Sequence, residues 1–127
     1  MGAGDGFSSN ARQRIEAAVA HAEERSGLAF SVVVGRSDGE PHAYARGLLA
    51  RVPAGDRPHV LVFVSPGQRY VEVATDPAAK AMVSDEACAL AVLSMTTSFA
   101  VGDLAGGIVS GVRMLSDASR RPHPTAP

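Results

Sequence analysis

The feature that most constrains the fold is the run Val60-Leu61-Val62-Phe63-Val64, five apolar and mostly β-branched residues in succession. A surface helix or a half-wet strand would interrupt such a run with polar positions, so it reads as a strand buried on both faces. A strand covered twice requires layers above and below it, which points to an α/β rather than an all-helical chain.

The flanking segments supply those layers. Ala11, Ile15, Ala18, Val19 and Ala22 recur at helical spacing, with Arg12, Glu16, Glu23 and Arg25 opposite and Gly27 as a left-handed stop. Leu28 to Val34 predicts a second apolar strand, buried on both faces and ended by Gly35 and the turn-forming Ser37-Asp38-Gly39. Ala45, Leu48, Leu49 and Val52 predict a short helix over 42–52, so a right-handed βαβ crossover makes the first two strands parallel and adjacent. Ser65-Pro66-Gly67-Gln68 predicts a type II turn into an antiparallel strand over 69–75, where Tyr70 and Glu72 alternate with Val71 and Val73 as on a sheet edge.

Helices complete the chain. Asp76-Pro77 and Ser84-Asp85-Glu86 are helix starts. Cys88, Ala91, Val92, Met95 and Phe99 form a core stripe that Leu90 and Leu93 widen, which predicts a largely buried helix. After Gly102, Asp103 caps a last helix with Leu104, Ile108, Val112 and Leu115 on one face. Gly106, Gly107 and Gly111 each weaken that helix by about 1 kcal/mol relative to alanine, so another backbone is expected to pack close against it. The expected fold class is a three-layer α/β/α sandwich with a small mixed sheet of three to four strands and consecutive C-terminal helices. One domain over 9–118 is expected, with disordered tails at 1–8 and 119–127, the second rich in proline and arginine.

Composition limits the function. Net charge is −1 and aromatic residues make up 5%, with no Trp, which argues against nucleic-acid binding by field or by base stacking. The Arg120-Arg121 pair reads as a solvated tail rather than a nucleic-acid arm. Lys80 is the sole lysine among twelve Lys plus Arg, a skew expected of a GC-rich bacterial genome. No apolar run reaches the roughly 18 to 20 residues of a membrane span, and no export signal is seen, so a cytoplasmic protein is expected. Cys88, alone and among alanines and valines, reads as a buried structural residue rather than a nucleophile.

Few residues carry chemistry. Asp76, Asp85 and Asp103 would make an oxygen-only site for Ca2+ or Mg2+ if the fold gathered them, and no His or Cys pair has zinc spacing. Each of the three also stands at a helix start, where a carboxylate accepts free backbone N–H groups. His21, His42, His59 and His123 are expected in solvated or loop positions, and no catalytic residue is assigned. Gly2-x-Gly4-x-Gly6 lacks the strand and helix of a nucleotide loop, and Gly107-x-x-x-Gly111 suits helix packing within the chain better than between subunits. A monomer or weak homodimer is expected.

The segment Val60 to Leu115 resembles the TPM domain, above all in Ser98-Phe99-Ala100-Val101-Gly102-Asp103-Leu104-Ala105-Gly106-Gly107. Nearly all of 11–117 is similar to a family of small uncharacterised actinobacterial proteins. The resemblance implies an α/β/α sandwich, with weak acid phosphatase activity and divalent-metal binding proposed for some TPM members. Two functions are therefore carried forward: a module acting through an unknown protein partner with no or weak catalysis, and a metal-dependent phosphomonoesterase using Asp103 with Asp76 or Asp85.

Overall fold

The computed structural model describes residues 7–53 and 55–119. The elements are α1 (Ser9–Ser26), β1 (Ala29–Val34), α2 (Pro41–Arg51), β2 (His59–Ser65), β3 (Tyr70–Thr75), α3 (Pro77–Lys80), α4 (Asp85–Ala100) and α5 (Leu104–Ala118). The strands form one mixed sheet in the order β1-β2-β3, parallel between β1 and β2 and antiparallel between β2 and β3.

The central strand has the environment its sequence demands, since all seven residues of β2 are buried. Val60, Val62 and Val64 face a core built with Phe30, Ile15, Met95, Ile108, Val112 and Leu115, beneath α1, α4 and α5. Leu61 and Phe63 face the other way, into a smaller core with Ala45, Leu49 and Ala74 beneath α2. Two cores on opposite faces of one sheet make the molecule three layers deep. The paired rows Val32–Val62–Val73 and Val34–Val64–Val71 show why the register is firm: a one-residue slip would turn this apolar row toward the wrong layer.

Several expectations need correcting. β1 is an edge strand, and only Phe30 in it is fully buried, because α2 packs against β2 and β3. The link between β2 and β3 is a 3-10 turn, Pro66–Gln68, closed by Arg69 N–H donating to the Pro66 carbonyl at 3.1 Å. It is Arg69 with φ 53°, not Gly67, that takes the left-handed conformation, so the turn is not type II. Of the residues expected in the tails, Phe7 packs against the main core and Ser8 and Ser119 cap α1 and α5; the rest, 1–6 and 120–127, lies outside the described residues. Leu90 and Leu93 are exposed rather than buried, since α5 and the sheet occupy just one side of α4.

Gly107 and Gly111 of α5 admit α4, but it is side chains that fill the gap rather than a backbone. A Cβ on Gly107 would lie 2.7 Å from Phe99 Cε1 and 2.8 Å from Ser98 Cβ. On Gly111 it would lie 2.7 Å from Met95 Cγ and Sδ.

Candidate functional site

A surface recess stands at the carboxyl end of β2, where open α/β sheets commonly bind ligands. A cleft of about 540 Å³ opens between the β2–β3 turn and the α4–α5 junction. Pro66, Tyr70 and Val71 line one wall, and Phe99, Ala100 and Leu104 the other, with Arg69 and Thr96 as polar lining groups. The turn is held rigid by one amide oxygen. Gln68 Oε1 accepts from Ser65 Oγ at 2.6 Å, Ser37 N–H at 2.8 Å and Ser37 Oγ at 3.1 Å, which ties the loop after β1 to the turn after β2.

α4, which gives Thr96, Phe99 and Ala100 to this cleft, also has an exposed outer face. Leu90 and Leu93 are 52% and 63% exposed, and Val101 just beyond the helix is 81% exposed. No charged side chain occurs from Ala87 to Gly102. Asp85 and Glu86 mark the start of this face and Arg69 lies near its end.

Elsewhere the structure pairs groups that sequence spacing could not connect. His59 is buried, contrary to the loop placement expected, and its Nε2 lies 2.8 Å from Ser31 Oγ on the neighbouring strand. Its Nδ1 is buried without a hydrogen-bond partner. A protonated Nδ1 would be an unsatisfied buried donor, so the favoured neutral tautomer carries its proton on Nε2 and donates to Ser31. That direction is wrong for a base that activates serine, and the pair reads as structural. Burial holds the His59 pKa below its ordinary value, with Asp76 and Glu23 opposing the shift.

A pH dependence follows. The unfolded imidazole takes up a proton near pH 6.5 while the folded one resists it, so this contribution to stability is complete above that pH. It should decline as pH falls from about 6.5 toward the lower folded value. Urea midpoints at several pH values should show a smaller decline for His59→Gln than for the wild type. Equal slopes would exclude a buried neutral His59.

The second pairing lies beneath α2. His42 Nδ1 sits 2.8 Å from Glu72 Oε2, and the Tyr70 hydroxyl donates to Glu72 Oε1. The polar face of β3 is thus inside rather than wet, because the carboxylate is satisfied from both sides. Burial, reinforced by that carboxylate, raises the Tyr70 pKa. The Glu40 carboxylate caps α2 through His42 and Ala43 N–H, which lowers its pKa.

The aspartates are not brought together. Asp76 Oδ1 accepts from Ala79 N–H at 2.8 Å, and its Oδ2 accepts from His59 N–H at 3.0 Å. Asp103 Oδ1 accepts from Gly106 N–H at 3.0 Å. Asp85 stands after the Ser84 cap, 3.9 Å from Lys80 Nζ. Among the described residues no three His, Cys, Asp or Glu side chains form a group able to hold a metal. The donor set therefore does not fit one Ca2+ or Mg2+ ion. Cys88 is half-buried rather than fully buried, and burial, with Asp85, raises its pKa, which disfavours the thiolate. Among the described residues no helix is long and apolar enough to cross a membrane.

Two uncharacterized proteins of Mycobacterium tuberculosis, Rv2468c of strain H37Rv and MT2543 of strain CDC 1551, are each 28% identical to this chain over 102 residues, covering 80% of it. The chain spans 60% of the length of these curated relatives. Its fold is similar to the NMR structure of BA42 from Bizionia argentinensis, with a TM-score of 0.79 and 17% identity over 92% of this chain and 83% of that one. It is also similar to the N-terminal domain of cg2496 from Corynebacterium glutamicum, with a TM-score of 0.75 and 16% identity over 98% of this chain and 86% of that one. At these identities the likeness is one of fold. A family model matches residues 3–116, and the chain belongs to that family, DUF5130, described as a domain of unknown function.

Proposed function

We propose that this domain is a cytoplasmic binding module that recognises a protein partner through α4, with no catalysis or only weak catalysis of its own. The observation that carries the reading is the exposed, uncharged outer face of α4, with Leu90 and Leu93 at its centre. Association would remove this apolar surface from water. Asp85 and Glu86 at one end and Arg69 at the other favour a partner with an apolar stripe, a cation opposite the acids and an anion opposite the guanidinium. The relation to the TPM domain belongs to the same proposal. It is supported by the segment Ser98 to Gly107, which forms the α4–α5 junction at the cleft.

The test begins with a photo-crosslinking residue at position 93, with position 50 on α2 as control, followed by titration of the purified crosslinked partner. Leu93→Lys should leave stability within about 0.5 kcal/mol, because the site is exposed. The same variant should weaken partner binding by about tenfold or more, as loss of an interface anchor does. Unchanged affinity, or equal crosslinking from position 50, would remove the reading. Self-association abolished by Leu93→Lys would make the occupant a second copy of this chain instead.

A further inference from the structure

A second surface, on the helical layer formed by α1 and α5, has a different chemistry. A groove of about 450 Å³ runs between these helices, with Ala17, Ala18, Ala22 and Val109 among its lining residues. Arg14, His21, Arg25 and Arg113 also line it, with Asp117 as the one carboxylate. Asp117 lies 3.5 Å from Arg25, so its charge is already engaged. Arg14 and Arg113 have no ion pair among the described residues, and both are exposed. In a chain with a net charge of −1, three arginines from two helices line one groove, and Asp117 is the one carboxylate among its lining residues.

We propose that this groove binds a multiply charged phosphoryl anion, of the size and charge of a diphosphate group. The guanidinium groups of Arg14 and Arg113, which have no ion pair among the described residues, supply two positive charges, and these suit an anion of charge two or more rather than a monoanion. Guanidinium forks match phosphoryl oxygens in geometry as well as charge, and several of them around one anion hold it more firmly than a point cation would. The short side chains of Ala17, Ala18 and Ala22 leave room for the anion to lie between the helices instead of over them. The long arginine side chains then reach it from both sides. The groove lies on α1 and α5, so this site is separate from the α4 face and does not depend on the partner proposed for it.

The test is a titration of the full chain with inorganic pyrophosphate, followed by amide chemical shifts at low salt, with ADP as a second arm. Saturable shifts confined to residues 14–25 and 109–117 are expected. Arg14→Gln and Arg113→Gln should each raise the dissociation constant by about tenfold, the loss of one charge-assisted hydrogen bond. Arg51→Gln on α2 should leave it unchanged. Tighter binding of ADP than of pyrophosphate would identify the source as a nucleoside diphosphate, and equal binding a bare diphosphate group. Shifts spread over every arginine, an absence of saturation, or the same affinity in both groove variants would overturn the proposal. Since both substitutions are at exposed positions, an unchanged melting temperature is expected alongside the weaker binding.

Discussion

Phe63→Ala is expected to lower the free energy of unfolding by about 4 kcal/mol, the largest effect of any single truncation beneath α2. Phe63 is fully buried, opposite Val33 on one side and Glu72 on the other. Its ring centroid lies 5.5 Å from that of Tyr44 and 6.4 Å from that of Tyr70, both in tilted arrangements. Truncation removes the transfer energy of the ring and leaves a cavity whose walls cannot readily close. Tyr70 is held by Glu72, and α2 is anchored at its start by the Glu40 cap. Against a total stability of about 5–15 kcal/mol the loss is severe, and a melting temperature lower by roughly 15 °C is expected. Phe63→Leu should recover more than half of it, because most of the volume returns. A loss for Phe63→Ala below about 1.5 kcal/mol would mean that α2 settles onto the sheet and that this smaller core is not rigid.

Gly107→Val should cost about 3 kcal/mol, for the opposite reason. Nothing is removed; a branched side chain is forced into space that Phe99 and Ser98 already occupy. The Ser98 Cβ, 2.8 Å from the new Cβ, is fixed to the backbone of α4 and cannot rotate away. Relief must come from separating two helices that share the main core. Gly111→Ala provides the contrast within the same helix, since its clash is with Cγ and Sδ of Met95, a buried but unbranched side chain that can change rotamer. Alanine also gains about 1 kcal/mol of helix propensity over glycine, so the net change at that site should be near zero. Denaturant unfolding of both variants checks the pair. Equal losses at 107 and 111 would show that the α4–α5 distance, rather than the identity of the opposing group, sets the tolerance.

Much of the fold was legible from local chemistry. The uninterrupted run at Val60 could only be a strand covered on both faces, and the helix starts at Asp76, Ser84 and Asp103 announced themselves through their capping side chains. What local chemistry could not tell was which side of an apolar helix would meet another element. Leu90 and Leu93 read as core on composition, yet α4 is covered on one side only, and the leucines became the exposed face that carries the proposed function. The pairings of His59 with Ser31 and of His42 with Glu72 depend on strand register and on where α2 crosses, so spacing along the chain gave no sign of them. Glu72 alternated with valines as a solvated residue would. Only the tertiary placement of Tyr70 and His42 around it allows the carboxylate to be buried. The convergence of Arg14 and Arg25 with Arg113 likewise required α1 and α5 to be neighbours.

That last neighbourhood has a consequence for how the molecule is made. α1 packs along α5, and Ser116 Oγ donates to the Ala22 carbonyl across 94 positions of chain. During synthesis the first helix emerges early, while the surface it must pack against is still untranslated. Until residues near 116 have cleared the ribosome, the apolar side of α1 and the adjoining face of β1 have no cover. The hairpin β2–β3 and the α4–α5 pair can form from near neighbours in the meantime, but the sandwich cannot close on that side. Nascent chains arrested before α5 should therefore be protease-sensitive throughout α1, and protection should arrive in one step, once α5 has emerged, rather than by gradual accretion.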